Sequence, residues 1–91
     1  MEEIDTFNRL KYKIEIDQDD GFIYYYNHEG LLHRENGPAA IGPDGRHEWY
    51  LNGERHRVGG PAYMLPTGTK EWWLNGVLHR DDWPAAIYPM V

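Results

Sequence analysis

His33, His56 and His79 stand 23 residues apart, and each is followed by an arginine: Arg34, Arg57 and Arg80. Three imidazoles suggest a metal site, and three guanidinium groups suggest a cradle for phosphate or carboxylate, because their fork of N–H donors matches a two-oxygen anion. Which chemistry is open to the chain depends on whether the elements that carry these rows bring them together.

The same interval governs much of the sequence. Gly30, Gly53 and Gly76 keep it, as do Pro38, Pro61 and Pro84, then Ala39, Ala62 and Ala85, then Pro43, Pro66 and Pro89, and the aromatic row Tyr26, Trp49 and Trp72. A period of this length marks an architecture of supersecondary units, none of which buries its apolar side alone. Asn52-Gly53 and Asn75-Gly76, flanked by strand-favouring residues, each predict a two-residue type I′ hairpin turn. That register sets Leu74 opposite Val77, Trp73 opposite Leu78, Trp72 opposite His79 and Glu71 opposite Arg80. In the middle unit it sets Trp49 opposite His56 and Glu48 opposite Arg57. Applied to the first unit, where Glu29-Gly30 replaces Asn-Gly, it sets Tyr26 opposite His33 and Tyr25 opposite Arg34. Alternation along a strand places the tryptophan–histidine pairs on one face, the expected core, and the glutamate–arginine pairs on the other.

Asn36-Gly37-Pro38 and Gly59-Gly60-Pro61 should interrupt the pairing, since proline lacks a ladder donor and glycine tolerates bulges. Extended structure resumes at Ala39-Ala40-Ile41 and Ala62-Tyr63-Met64, ahead of turns at Pro43-Asp44-Gly45 and Pro66-Thr67-Gly68. Leu10, Tyr12, Ile14 and Ile16 alternate with polar residues, so residues 1–20 read as an N-terminal capping strand turned back by Gln18-Asp19-Asp20-Gly21. Trp83 and Tyr88 replace the glycine, or the glycine and leucine, of the preceding units, so the last unit reads as a terminus. The expectation is one all-β domain over residues 1–91: an antiparallel meander of three stacked 23-residue β-hairpin repeats, spanning residues 21–91, behind the N-terminal cap.

With 91 residues and no cysteine, the chain has neither a disulfide framework nor a zinc-thiolate site to brace it. The net charge is −6, of which residues 1–20, with seven acids and three bases, carry −4. That balance argues against direct nucleic-acid binding, which needs an excess of cations on one face. Apolar runs are too short for a membrane span, and the opening Met1-Glu2-Glu3 is unlike a signal peptide, so a cytoplasmic location is expected, in the host cytoplasm if the protein is viral.

Glu48-Trp49, Asn52-Gly53, His56, Gly60 and Pro43-Asp44-Gly45 make residues 21–91 resemble the membrane occupation and recognition nexus (MORN) repeats. The run His-Arg-x-x-Gly-Pro-Ala is similar to a variant of that repeat met in bacterial and viral proteins. The resemblance implies hairpin units ending in a Pro-Asp-Gly-like turn, and a scaffold or protein-binding surface, often dimeric, with lipid binding proposed for some members. It implies no catalysis.

Weighed one by one, the candidate residues divide. Equivalent histidines in successive hairpins should lie two strands apart, roughly 10 Å, too far to share an ion whose ligands sit at about 2 Å. A structural role is favoured for them, packed on Tyr26, Trp49 and Trp72 with a ring nitrogen bonded to backbone; His28 and His47 read as surface residues, and no metal or cofactor is expected. Arg34, Arg57 and Arg80 form the alternative anion site, although Glu48 and Glu71 opposite two of them favour a self-neutralised ladder. Arg34, with Lys70 and Arg46 elsewhere, remains as a weaker anion candidate. Tyr50 and Trp73, on the face opposite the tryptophan row, are expected as exposed aromatics that anchor a partner or shield the hairpins; Trp83 is expected to cap the stack or join two copies. No nucleophile, phosphate loop or isolated carboxylate pair appears, and Asp19, Asp20, Asp81 and Asp82 have turn-like or terminal settings, so the chain is not expected to be an enzyme. The leading expectation is a non-enzymatic protein-interaction module, capable of homodimerisation, that uses the aromatic face and the acids Glu2, Glu3, Asp19 and Asp20. Its narrower forms are a phage anti-defence inhibitor of a nucleic-acid-handling enzyme, or an antitoxin or immunity protein. The alternative is a binder of a small anionic ligand, nucleotide or lipid head group along the arginine row.

Overall fold

The structure, a computed structural model, describes residues 12–81 and 84–89. Among these the chain is all-β, without helix: β1 (Lys13–Ile16), β2 (Ile23–Tyr26), β3 (Ala40–Ile41), β4 (His47–Glu48), β5 (Tyr50–Leu51), β6 (Glu54–Arg55), β7 (Tyr63–Met64), β8 (Lys70–Glu71), β9 (Trp73–Leu74), β10 (Val77–Leu78) and β11 (Ala86–Ile87). Every strand pairing is antiparallel. Seven strands form one sheet in the order β1-β2-β3-β4-β7-β8-β11, and two hairpins, β5-β6 and β9-β10, leave it as separate two-stranded sheets. The spatial order of the main sheet follows the chain.

Turn chemistry explains the registers. Asn52 and Gly53 take φ 49° and 83°, and Asn75 and Gly76 take 50° and 78°, as a type I′ turn demands at both central positions. Leu51 then pairs with Glu54, and Leu74 with Val77, as expected. The first hairpin differs. Glu29 cannot supply the second left-handed residue, and the turn widens to His28-Glu29-Gly30, with only Gly30 at positive φ (81°). The Asn27 side chain closes it, its Oδ1 accepting from the Glu29 and Leu31 amides at 2.9 and 3.0 Å. The extra residue moves the register by one. Tyr26 pairs with Leu32, and the His33 amide donates to the Tyr25 carbonyl, so Tyr25, not Tyr26, occupies the place held by Trp49 and Trp72. The expected pairings of Tyr26 with His33 and Tyr25 with Arg34 are corrected accordingly.

At the opposite end of the strands, Gly45 (φ 100°) and Gly68 (φ 107°) complete the Pro43 and Pro66 turns, and the Asp17 carbonyl and side chain close the turn between β1 and β2. Hydrogen bonds extend the main ladder past the named strands: the amides of Tyr25, Trp49 and Trp72 donate to the carbonyls of Ala39, Ala62 and Ala85. Alternation therefore gives one face the row Ile14, Tyr25, Ala39, Trp49, Ala62, Trp72 and Ala85, and gives the other Tyr24, Ala40, Glu48, Tyr63, Glu71 and Ala86. Among the described residues the buried apolar side chains are Ala39, Ala40 and Ala62 alone; the aromatics between them are half-buried. The expected tryptophan core is thus a set of alanine rungs with large rings draped over them.

Candidate binding groove between the hairpins

On the tryptophan face each His-Arg dipeptide follows its hairpin, and its arginine folds back over a ring. The guanidinium carbons of Arg34, Arg57 and Arg80 lie 3.9, 3.8 and 3.6 Å from the ring centroids of Tyr25, Trp49 and Trp72. Each Nη1 donates to a proline carbonyl four residues on: Pro38 at 3.2 Å, Pro61 at 3.0 Å and Pro84 at 3.5 Å. The glycine before the proline makes room for the stack. A Cβ on Gly37 would stand 2.9 Å from Arg34 Cζ, and one on Gly60 2.8 Å from Arg57 Cζ. His-Arg-x-x-Gly-Pro is therefore one device, an aromatic ring, a guanidinium plane and a glycine backbone in layers.

The expected glutamate partners are elsewhere. Glu48 and Glu71 project from the opposite face, where both bind Arg55: its Nη2 lies 3.3 Å from Glu48 Oε1 and its Nη1 lies 3.7 Å from Glu71 Oε1. Arg55 also sits over the rings of Tyr63, Trp73 and Tyr50 at 4.4, 5.3 and 5.5 Å. Tyr50 donates to Glu48 at 2.8 Å, and Trp73 and Tyr88 donate to Glu71 at 2.9 and 3.0 Å. Burial alone would lower the Arg55 pKa, but the Tyr50 hydrogen bond and the two carboxylates outweigh it and hold it above its usual value. Burial, then the bond to Glu48, raises the Tyr50 hydroxyl. Tyr50 and Trp73, expected to be exposed, are thus half-buried walls of a charge-paired cluster, in which Arg55 Nε is buried without a hydrogen-bond partner. Arg55 escaped the reading by period because Leu32 and Leu78 hold its equivalent positions; a cation that breaks the repeat was the available signal.

The self-neutralised ladder of Arg57 with Glu48 and Arg80 with Glu71 is therefore corrected. Arg34 and Arg57 have no carboxylate partner among the described residues, and burial lowers the Arg57 pKa from its usual value. Between the arginine layers lie two clefts. One, of 190 Å³, is lined by Arg34, Glu35, Trp49, Leu51, His56, Arg57 and Val58. The next, of 390 Å³, is lined by Arg57, Val58, Gly59, Gly60, Trp72, Leu74, His79, Arg80 and Asp81. They share Arg57 and the 80% exposed Val58, so they are two compartments of one groove.

The histidines tie hairpin to hairpin. The Asn52 amide donates to His33 Nδ1 and the Asn75 amide to His56 Nδ1, both at 2.9 Å, which fixes each imidazole as an acceptor at Nδ1. The neighbouring glycine amides, Gly53 and Gly76, donate to the Leu32 and Arg55 carbonyls at 2.8 and 2.9 Å. Backbone bonding by a ring nitrogen thus appears at His33 and His56. His33 packs near Tyr12, at 6.2 Å between centroids, rather than on Tyr26, and His79 Nε2 meets Asp81 at 2.7 Å.

The remaining candidates fall outside the groove. Asp20 is occupied in its turn, accepting from the Phe22 amide at 2.9 Å and the Tyr24 hydroxyl at 3.2 Å, and Asp19 is exposed beside it. Arg46 lies over Phe22 at 5.8 Å, and Lys70 is exposed on β8; neither is among the residues lining the 190 Å³ cleft that holds Arg34. Glu2, Glu3, Asp82 and Trp83 lie outside the described residues. No helix among the described residues is long and apolar enough to cross a membrane. Compared with protein-family models, curated proteins and solved structures, the chain matches none of them.

Proposed function

We propose that this chain is a non-enzymatic protein-binding module built as a MORN-like stack of three 23-residue hairpins, with the groove between the arginine layers as its contact surface. The observation that carries the reading is where the sequence places its large side chains. Among the described residues the buried apolar set is three alanines, whereas Val58 in the groove is 80% exposed and the edge residues Ile16 and Tyr88 are 62% and 61% exposed. A small fold that leaves this much apolar surface uncovered, next to preorganised arginine and tryptophan, has the composition of an interface. The exposed edges β1 and β11 are compatible with a homodimer on the same scheme.

The narrower readings, an inhibitor of a nucleic-acid-handling enzyme or an antitoxin, keep a protein partner but draw on the acidic segment. The engagement of Asp20 in its own turn moves weight from that segment to the groove. A photo-cross-linking residue at position 58, compared with one at exposed Thr67, tests the proposal in cells of the protein's origin. The expected result is a discrete protein adduct at 58 only, competed by excess unmodified protein and not by Val58→Glu. Equal adducts at both positions, or none at 58, would remove the groove as the contact surface.

A further inference from the structure

Resting on the protein-binding reading, we infer that the groove takes an extended acidic segment of its partner, with two carboxylates three residues apart seated against Arg34 and Arg57. Arg34 and Arg57 are two of the three ring-stacked guanidinium groups along the groove, each flattened between a ring and a glycine and anchored through Nη1 to a proline carbonyl. Holding the planar fork still before the partner arrives removes much of the side-chain ordering cost of forming a charge-assisted pair. Both lack a carboxylate among the described residues, and the cleft between them holds Arg34 and Arg57 against Glu35 alone. This locally positive stretch belongs to a chain whose net charge is −6, which sets it apart as the place for an anion.

Spacing selects the ligand. Equivalent groups in successive hairpins stand two strands of the main sheet apart, about 10 Å, which a segment in the extended polyproline II conformation, rising about 3.1 Å per residue with three residues per turn, covers in three residues with both side chains on the same side. A single phosphate or head group is too small to touch both cations. Unpaired nucleic acid would need open ring faces for stacking, and here Tyr25 and Trp49 are already covered by guanidinium planes. Beyond Arg57 the larger cleft offers Val58 and Leu74 beside His79, Arg80 and Asp81, so an aliphatic residue following the second carboxylate should pack on Val58 and Leu74.

Fluorescence anisotropy of the full chain with labelled ten-residue peptides tests this. The set carries two glutamates at i and i+3 followed by leucine, the same at i and i+1, and a glutamine version. The i, i+3 peptide should bind about tenfold or more tightly than the others, the difference expected of one or more charge-assisted pairs. Val58→Glu should weaken it by a similar factor without moving the melting temperature, because the side chain is 80% exposed. Glu35→Gln should tighten it a few-fold. Equal affinity across the set, indifference to Val58→Glu, or binding of oligothymidine or phosphatidylserine vesicles in place of the peptide would overturn the inference. A position-58 protein cross-link with no preference among the peptides would leave the protein-binding reading standing and remove the acidic segment.

Discussion

The two faces of the sheet use the same pair of groups, an arginine over aromatic rings, to opposite ends. On one face Arg55 is enclosed by Tyr50, Tyr63 and Trp73 and by two carboxylates that are 14% and 15% exposed, and its charge is paired within the cluster. On the other, Arg34 and Arg57 each meet one ring, one glycine and one carbonyl, and keep their charge uncompensated by any described carboxylate. What repeats every 23 residues is the open arrangement; what occurs once is the closed one. A half-buried charge with its counter-ions holds hairpins together, whereas a supported charge without them is available to a partner.

The sharpest way to break the comparison is Arg55→Met. It leaves Glu48 and Glu71 close together in a half-buried setting, and should cost about 2–4 kcal/mol in urea unfolding. Adding Glu71→Gln to the variant should restore much of the loss. Arg57→Gln should cost far less, since no carboxylate is stranded; losses of equal size would erase the distinction between the faces.

Gly60→Ala sharpens the open side. The added methyl would meet Arg57 Cζ at 2.8 Å and push the guanidinium from Trp49, with an expected loss of about 1–2 kcal/mol. Tryptophan fluorescence should change with it. His56→Ala removes the acceptor of the Asn75 amide and should cost about 1 kcal/mol. Its clearer readout is hydrogen exchange, quickened at Asn75 while Tyr63 on the closed face stays protected.

The smallest effect belongs to neither face. Backbone amides of Asp20 and then Asp19 hold the Asp17 carboxyl below its ordinary value. A depressed folded pKa means stability present above the unfolded value and lost as pH falls through the folded one. Asp17→Asn should flatten that acid limb of the stability curve by a small amount, seen as a melting temperature less dependent on pH below about 4.

Much of this was legible in the sequence because it is set locally. Asn-Gly fixed two hairpin registers, and the Pro-Asp-Gly and Pro-Thr-Gly turns and the β1 cap appear where alternation and turn residues place them. The first hairpin misled because period was allowed to overrule turn chemistry: Glu29 is in the repeat register but cannot take the left-handed conformation, and one added residue exchanged Tyr26 for Tyr25. The arginine pairing misled for a different reason. Cross-strand register tells which backbones face each other, but a long side chain turns back over its own hairpin when a ring and a carbonyl await it there, as Arg57 does on Trp49 and Pro61. Arg55 stands near two glutamates only after folding, and its one sequence signal was that it breaks the period where Leu32 and Leu78 keep it.

The glycine amides of the Asn-Gly turns carry a chemical consequence. Deamidation of such a dipeptide begins when that nitrogen attacks the asparagine side-chain carbonyl to form a succinimide. Here the Gly53 and Gly76 nitrogens are committed to the Leu32 and Arg55 carbonyls at 2.8 and 2.9 Å. The grip of one hairpin on the next therefore protects both turns from spontaneous ageing, and the rate at which isoaspartate accumulates at Asn52 and Asn75 becomes a slow clock of how often neighbouring hairpins part.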